Sequence, residues 1–183
     1  EGGTLKSPIK NSFTIEFIGD SITAGYESYP KSKTNFSPKD GEAPCYQDGT
    51  NTYAFLTAES LNADISVTAF SGCGIVKGFE QFTMPQVYKH YPNMISKNNF
   101  EYPDEPEIIV INLGTNDNSY VKKDKEKEKE YEAGYIEFLK QVRAKNPDAY
   151  IVCTLGVMGN ELFFAMRRAA NQYKEETGDT KVE

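Results

Sequence analysis

The chain has 183 residues, 38% of them hydrophobic and 13% aromatic, and a formal net charge of −7. That length holds one domain with a real core, and the aromatic share excludes a disordered chain. No uncharged apolar run of about 18 residues offers a membrane-spanning helix, and an acidic surface repels phosphate backbones, which argues against nucleic acid as a partner but suits a neutral sugar.

In chain order, Glu1-Gly2-Gly3 and Lys6–Asn11 look like a linker. Residues 1–12 are therefore expected to be a linker, and residues 13–183 to form the domain proper. Phe13–Ile18 (FTIEFI) reads as a strand. Glu27–Thr50, rich in Ser, Pro, Lys and Gly, is irregular and contains Asn35-Phe36-Ser37, a glycosylation acceptor pattern that points weakly to export. Thr52–Leu61 reads as a helix with Tyr53, Leu56 and Leu61 near helical spacing and Asn51 as its cap. Ile65–Phe70 is a second strand.

Lys77–Pro106 is again irregular, and long enough to shape a substrate site. Within it Gln86–Tyr91 looks helical and carries His90, the single histidine. Glu107–Leu113 (EIIVINL) is a near-continuous apolar run, the pattern of a central parallel strand buried on both faces. The charged run Lys122–Lys129 is a solvated first turn of a helix over Lys125–Lys145. Its inward residues are Tyr131, Tyr135, Phe138, Leu139 and Val142, and Asn146-Pro147 stops it. Tyr150–Leu155 is a fourth strand, Glu161–Thr177 a helix ended by Gly178, and Thr180-Lys181-Val182 is placed to start a fifth strand.

Strands alternating with helices argue for a parallel sheet covered on both faces, with ligands beyond the carboxyl ends of the strands. The three cysteines, Cys45, Cys73 and Cys153, lack zinc-site spacing, and one of them has no partner within the chain. Cys153 reads as a small core residue; a bridge between Cys45 and Cys73 is left open.

Three strand ends carry the polar residues that matter. The first strand runs into Gly19-Asp20-Ser21-Ile22-Thr23-Ala24-Gly25-Tyr26, where a tight turn presents a serine at the start of a helix. Its hydroxyl and amide would then face the same site, unless the serine merely caps the helix. The second strand ends in Ser71-Gly72-Cys73-Gly74-Ile75, whose small residues let backbone amides approach a ligand; an ordinary glycine turn would look the same. The third ends in Gly114-Thr115-Asn116-Asp117, where a side-chain amide can donate to a developing oxyanion, or simply make an Asx turn.

Together, Gly-Asp-Ser, Ser-Gly-x-Gly and Gly-x-Asn-Asp on consecutive strands resemble the SGNH (GDSL-type) hydrolase family. The longer strings IEFIGDSITAGY, SGCGI followed by MPQVY, and IIVINLGTND are similar to carbohydrate esterase family two, whose members are deacetylases of plant polysaccharides. The resemblance runs from about Glu16 to Gly178. It implies a flavodoxin-like three-layer α/β/α sandwich with a parallel sheet, and ester hydrolysis through an acyl-serine without metal or cofactor. It also implies Ser21 as nucleophile, and an oxyanion hole made by the Ser21 amide, the Gly72 amide and the Asn116 side chain. The substrate would be an acetylated polysaccharide such as xylan or mannan, met outside the cell by a secreted enzyme with neighbouring domains at both ends.

The family's fourth block, Asp-x-x-His or similar, has no match up to Glu183, so the catalytic histidine is expected beyond that residue. His90, far along the chain from all three strand ends, is expected to be structural or solvated. Two other readings stay open: a carbohydrate-binding domain with a decayed esterase site, and a flavin or nucleotide domain. The absence of GxGxxG or a P-loop after the first strand weighs against the last. Asp20 and Asp117 are expected to hold loops through hydrogen bonds.

Overall fold

The computed structural model describes residues 11, 13–26, 28, 47–90 and 105–183. The glycosylation triplet, Cys45, Tyr29, Tyr46 and the linker residues up to Lys10 lie outside them.

Four parallel strands form the sheet: β1 (Thr14–Gly19), β2 (Asp64–Ala69), β3 (Ile108–Asn112) and β4 (Tyr150–Thr154), in the order β2-β1-β3-β4. Side chains alternate between the two faces of a strand. Ile15 and Phe17 therefore meet α2 (Tyr53–Ser60) on one face. Ile18, Ile109, Ile111 and Ile151 meet the other layer, built by α3 (Met84–His90), α5 (Lys125–Lys145) and α6 (Phe163–Thr177). The parallel sheet with helices on both faces is the expected SGNH-type architecture. A bridge from Ile151 to Val182 adds the start of a fifth parallel strand beside β4. Arg143 secures that segment by donating to the Asp179 carboxylate at 2.7 Å and to the Ala149 and Lys181 carbonyls at 2.7 and 3.2 Å.

α5 has the bounds read from the sequence. Asp124 caps its first turn through Glu126 and Lys127, and the five expected inward residues are all buried, with Ile136. α2 differs in two ways. Its cap is Thr52, whose hydroxyl accepts from Phe55 N–H, because Asn51 belongs to a short 3-10 turn, Gly49–Asn51. Its buried face is Ala54 and Ala58, while Leu56 and Leu61 are 50% and 51% exposed. Two small residues let the helix lie close on the sheet, and the leucines are turned outward. α6 starts at Phe163, two residues later than expected, with no side-chain cap. The helical stretch expected at Gln86–Tyr91 is present as α3, which begins two residues earlier, at Met84, and α4 (Asn118–Val121) is a further short helix.

Cys73 is a free, buried thiol, and the bridge to Cys45 left open above involves a residue outside the described ones. Cys153 is half-buried against the core, also free.

Beneath the carboxyl edge lies a buried polar cluster. Glu16 on β1 accepts from the Thr68 hydroxyl at 2.9 Å and the Tyr88 hydroxyl at 3.1 Å, and Tyr88 accepts from Asn146 Nδ2 at 2.8 Å. Burial raises the Glu16 acid above the usual carboxylate range, against the pull of these hydroxyls and of Lys145.

Candidate active site

The three polar strand ends leave the sheet at one level, since the register places Gly19 opposite both Ala69 and Asn112. β1 turns directly into α1 (Ser21–Ala24). Asp20 is the cap of that helix: its Oδ1 accepts from Ile22 N–H at 3.0 Å. Ser21 is thus the first helical residue rather than the cap, and it is only partly buried. The turn closes because position 19 has no side chain. A Cβ there would lie 1.9 Å from Thr23 Oγ1 and 2.5 Å from Thr23 Cβ. Thr23 Oγ1 in turn shares a 2.9 Å hydrogen bond with the Tyr53 hydroxyl, which ties α1 to α2.

The loop after β2 folds back on itself. Phe79 N–H donates to Gly72 O at 2.9 Å and Met84 N–H to Gly74 O at 2.8 Å. Gly72 has φ +81°, the left-handed region open to glycine. Phe79 and Glu80 pack beside it, 3.4 Å from where a Cβ would stand. Phe79 is 76% exposed, so its ring is presented to solvent next to Gly72.

The loop after β3 joins the other two. Asn116 is buried, and its Nδ2 donates to Cys73 O at 2.8 Å and to Asp20 Oδ2 at 3.1 Å. One side chain thus touches the residue before Ser21 and the residue after Gly72. Asp117, fully buried, clamps the β2 loop. Its Oδ2 accepts from Ile75 N–H at 2.8 Å, and its Oδ1 from Val76 and Lys77 N–H at 2.8 and 3.0 Å. The expected loop-holding roles of both aspartates are visible in these bonds.

The electrostatics follow from burial. Desolvation pushes the Asp20 acid up to about 6, opposed by the Ile22 N–H and helped by the charge of Asp117. Asp117 is also raised by burial, against its three N–H donors. Burial pushes the Cys73 thiol up to about 12, with Glu80, Asp20 and Asp117 adding to the rise. A thiol so far from ionising is no nucleophile at neutral pH. Among the described residues, no group of three or more His, Cys, Asp and Glu residues is arranged to hold a metal ion.

His90 is the last residue of α3. That helix starts at the β2 loop, through Met84. Near its other end Tyr88 meets Asn146, which precedes the amino end of β4. The backbone of His90 therefore lies away from the three strand ends. Tyr88 is buried in the Glu16 cluster. Phe82 packs edge-on against Phe70 at 4.9 Å. Tyr26 and Phe79 are exposed.

A family model described as the GDSL-like lipase/acylhydrolase family matches residues 17–180. The chain belongs to that family. It is 34% identical over 161 residues to a cellulase/esterase of Acetivibrio thermocellus, a match covering 86% of this chain and 19% of that protein. It is 33% identical over 157 residues to an acetylxylan esterase/glucomannan deacetylase of Cellvibrio japonicus, covering 78% of this chain and 42% of the relative. An acetyl xylan esterase from the rumen bacterium Butyrivibrio proteoclasticus superposes with a TM-score of 0.82 at 29% identity, over 97% of this chain and 55% of that one. The chain thus spans less than two thirds of the length of each.

In this GDSL-like chain the fold brings the loops of Ser21, Gly72 and Asn116, the residues expected from the sequence resemblance, into contact. What sequence reasoning missed is the link between them. The bond from Asn116 to Asp20 joins residues 96 positions apart, and the placement of Glu80 beside Gly72 depends on a loop without regular structure. No local spacing signals either.

Proposed function

We propose that this chain carries the serine nucleophile and oxyanion donors of a carbohydrate O-acetyl esterase. It would act on acetylated plant polysaccharides such as xylan or glucomannan. The observation that carries the reading is the Asn116 amide, bonded at once to Asp20 and to the Cys73 carbonyl. That contact gathers a serine, a left-handed glycine and a side-chain amide at one edge of a parallel sheet. The names of the similar proteins supply the substrate class. The exposed Phe79 ring beside Gly72 suits the apolar face of a pyranose.

In this mechanism Ser21 Oγ attacks the acetyl carbonyl carbon while a general base takes its proton. The carbonyl π pair moves onto oxygen, and that oxyanion accepts from the Ser21 N–H, the Gly72 N–H and Asn116 Nδ2–H. Collapse expels the sugar oxygen, which receives the proton from the base. Water then adds to the acetyl-serine and releases acetate by the same route. We place the base on a histidine beyond Glu183, in keeping with the position of the His90 backbone and with a fifth strand beginning at Val182. The greater length of the relatives supports neighbouring domains at both ends. A polymeric substrate met outside the cell supports export.

The test is exposure to 4-nitrophenyl acetate followed by peptide mass analysis. An acetyl group on the peptide carrying Ser21, lost in Ser21→Ala, is expected, with slow turnover by the chain alone. Turnover that survives Ser21→Ala overturns the nucleophile. Full-rate turnover by these residues alone overturns the placement of the base. Sugar binding without any acetyl-serine would leave the binding-domain reading standing.

A further inference from the structure

We propose that Asp20 is a positioning residue that sets the spacing between the Ser21 helix and the Asn116 amide, a role that only a carboxylate can fill at that position. The inference rests on the oxyanion reading of Asn116 given above.

Capping alone would not require an aspartate. Asn and Ser cap helices as well as Asp does. Here the two oxygens of one side chain face two different donors: Oδ1 takes Ile22 N–H at 3.0 Å, and Oδ2 takes Asn116 Nδ2–H at 3.1 Å. An asparagine has one acceptor and one NH2. Whichever way it turned, a donor would meet a donor, at Ile22 or at Asn116. A serine would reach the helix N–H but not Asn116. The second contact is the one that matters for the donor pocket, because the other Asn116 hydrogen is already given to Cys73 O at 2.8 Å. Asp20 and Cys73 thus fix the amide plane between the nucleophile helix and the glycine loop. An arriving oxyanion must share or take the hydrogen that Asp20 holds, so the charge on Asp20 is felt at the same atom. The ionisable groups facing Asp20 are Asp117 from the β3 loop, Tyr53 from α2 and Cys73 from the β2 loop, with Glu80 beyond it.

The experiment follows the side-chain amide signals of Asn116, assigned with Asn116→Asp, in 15N-labelled protein between pH 4.5 and 8. In the native chain they are expected to shift with a midpoint near 6, as Asp20 gains its proton. In Asp20→Asn the signals should move from their native positions at pH 8 and no longer titrate through that midpoint. Ser21→Ala should leave them in place. A residual titration in Asp20→Asn would belong to Asp117 and would overturn the assignment to Asp20. So would native signals at pH 8 in that variant. If Asp20→Asn does not fold, the native titration decides, and a flat profile overturns the proposal. In polypeptide that hydrolyses acetyl esters, Asp20→Asn should lower kcat about 10²-fold with KM little changed, the cost of a displacement of about 1 Å. A Ser21→Ala variant that kept its turnover would sink the nucleophile reading while leaving the amide signals to judge Asp20 separately.

Discussion

Asp117→Asn isolates the clamp on the glycine loop with almost no change of shape. In the native protein Oδ1 serves Val76 and Lys77, and Oδ2 serves Ile75. The best orientation of an asparagine keeps its carbonyl on the first two and turns its NH2 toward Ile75 N–H. Ile75 is 2% exposed, so its N–H has no water to turn to. A buried donor left without a partner costs about 1–3 kcal/mol. The two surviving bonds also lose their charge assistance, roughly half their strength. Against this, the variant is relieved of burying a charge, the effect that raises the Asp117 acid in the first place. A net loss of about 2 kcal/mol follows, or about 4–8 °C in melting temperature for a chain of this size. Thermal unfolding followed by circular dichroism at pH 7 measures it. A variant that melts within about 1 °C of the native chain would mean that the loop holds itself and that the three bonds add nothing.

Asn116→Ala should slow acetylation of Ser21 by about 10²–10³, the cost of one oxyanion donor, and a loss below about tenfold would remove Asn116 from that role. Arg143→Lys should lower the melting temperature by about 4–8 °C, roughly 2 kcal/mol, because an ammonium cannot serve Asp179 and the surrounding carbonyls at once; an unchanged melt would dismiss this anchor. Asp20 makes stability depend on pH in a definite direction. Its folded acid, at about 6, lies above the ordinary 3.8, so the folded state holds the proton more tightly. The native chain should therefore lose stability as pH rises from about 4 to about 6, by up to about 3 kcal/mol at 1.4 kcal/mol per unit. Melting curves of native and Asp20→Asn across that range should converge or cross accordingly, and parallel curves would refute it.

The sequence carries the strands and α5 clearly because their signals are local. An apolar run such as EIIVINL reads as a buried strand wherever it falls, and Asp124 and Asn146-Pro147 punctuate α5 within a few residues of its ends. The face of α2 is misread from sequence for a related reason. Size ranks leucine above alanine, but the residues this helix buries against the sheet are Ala54 and Ala58, with Tyr53 edge-on to Phe17. α3 is blurred because it begins at a hydrogen bond to Gly74, a tertiary contact. At the candidate site the residue types are visible as three polar strand ends. Their mutual bonds are not, since an aspartate that caps a helix and one that also receives an amide from the far side of the sheet have the same local sequence.

The crowding at Gly19 has a consequence for how Ser21 can vary in place. Trimming Thr23 to serine or alanine would not make room for a side chain at position 19, since Thr23 Cβ itself stands 2.5 Å from where that Cβ would be. Any substituent there must be accommodated by sliding the whole first turn outward, with the serine aboard. Tolerance at this one position is therefore a gauge of mechanical slack: the more acyl transfer a Gly19→Ala variant retains, the looser the seating of the nucleophile.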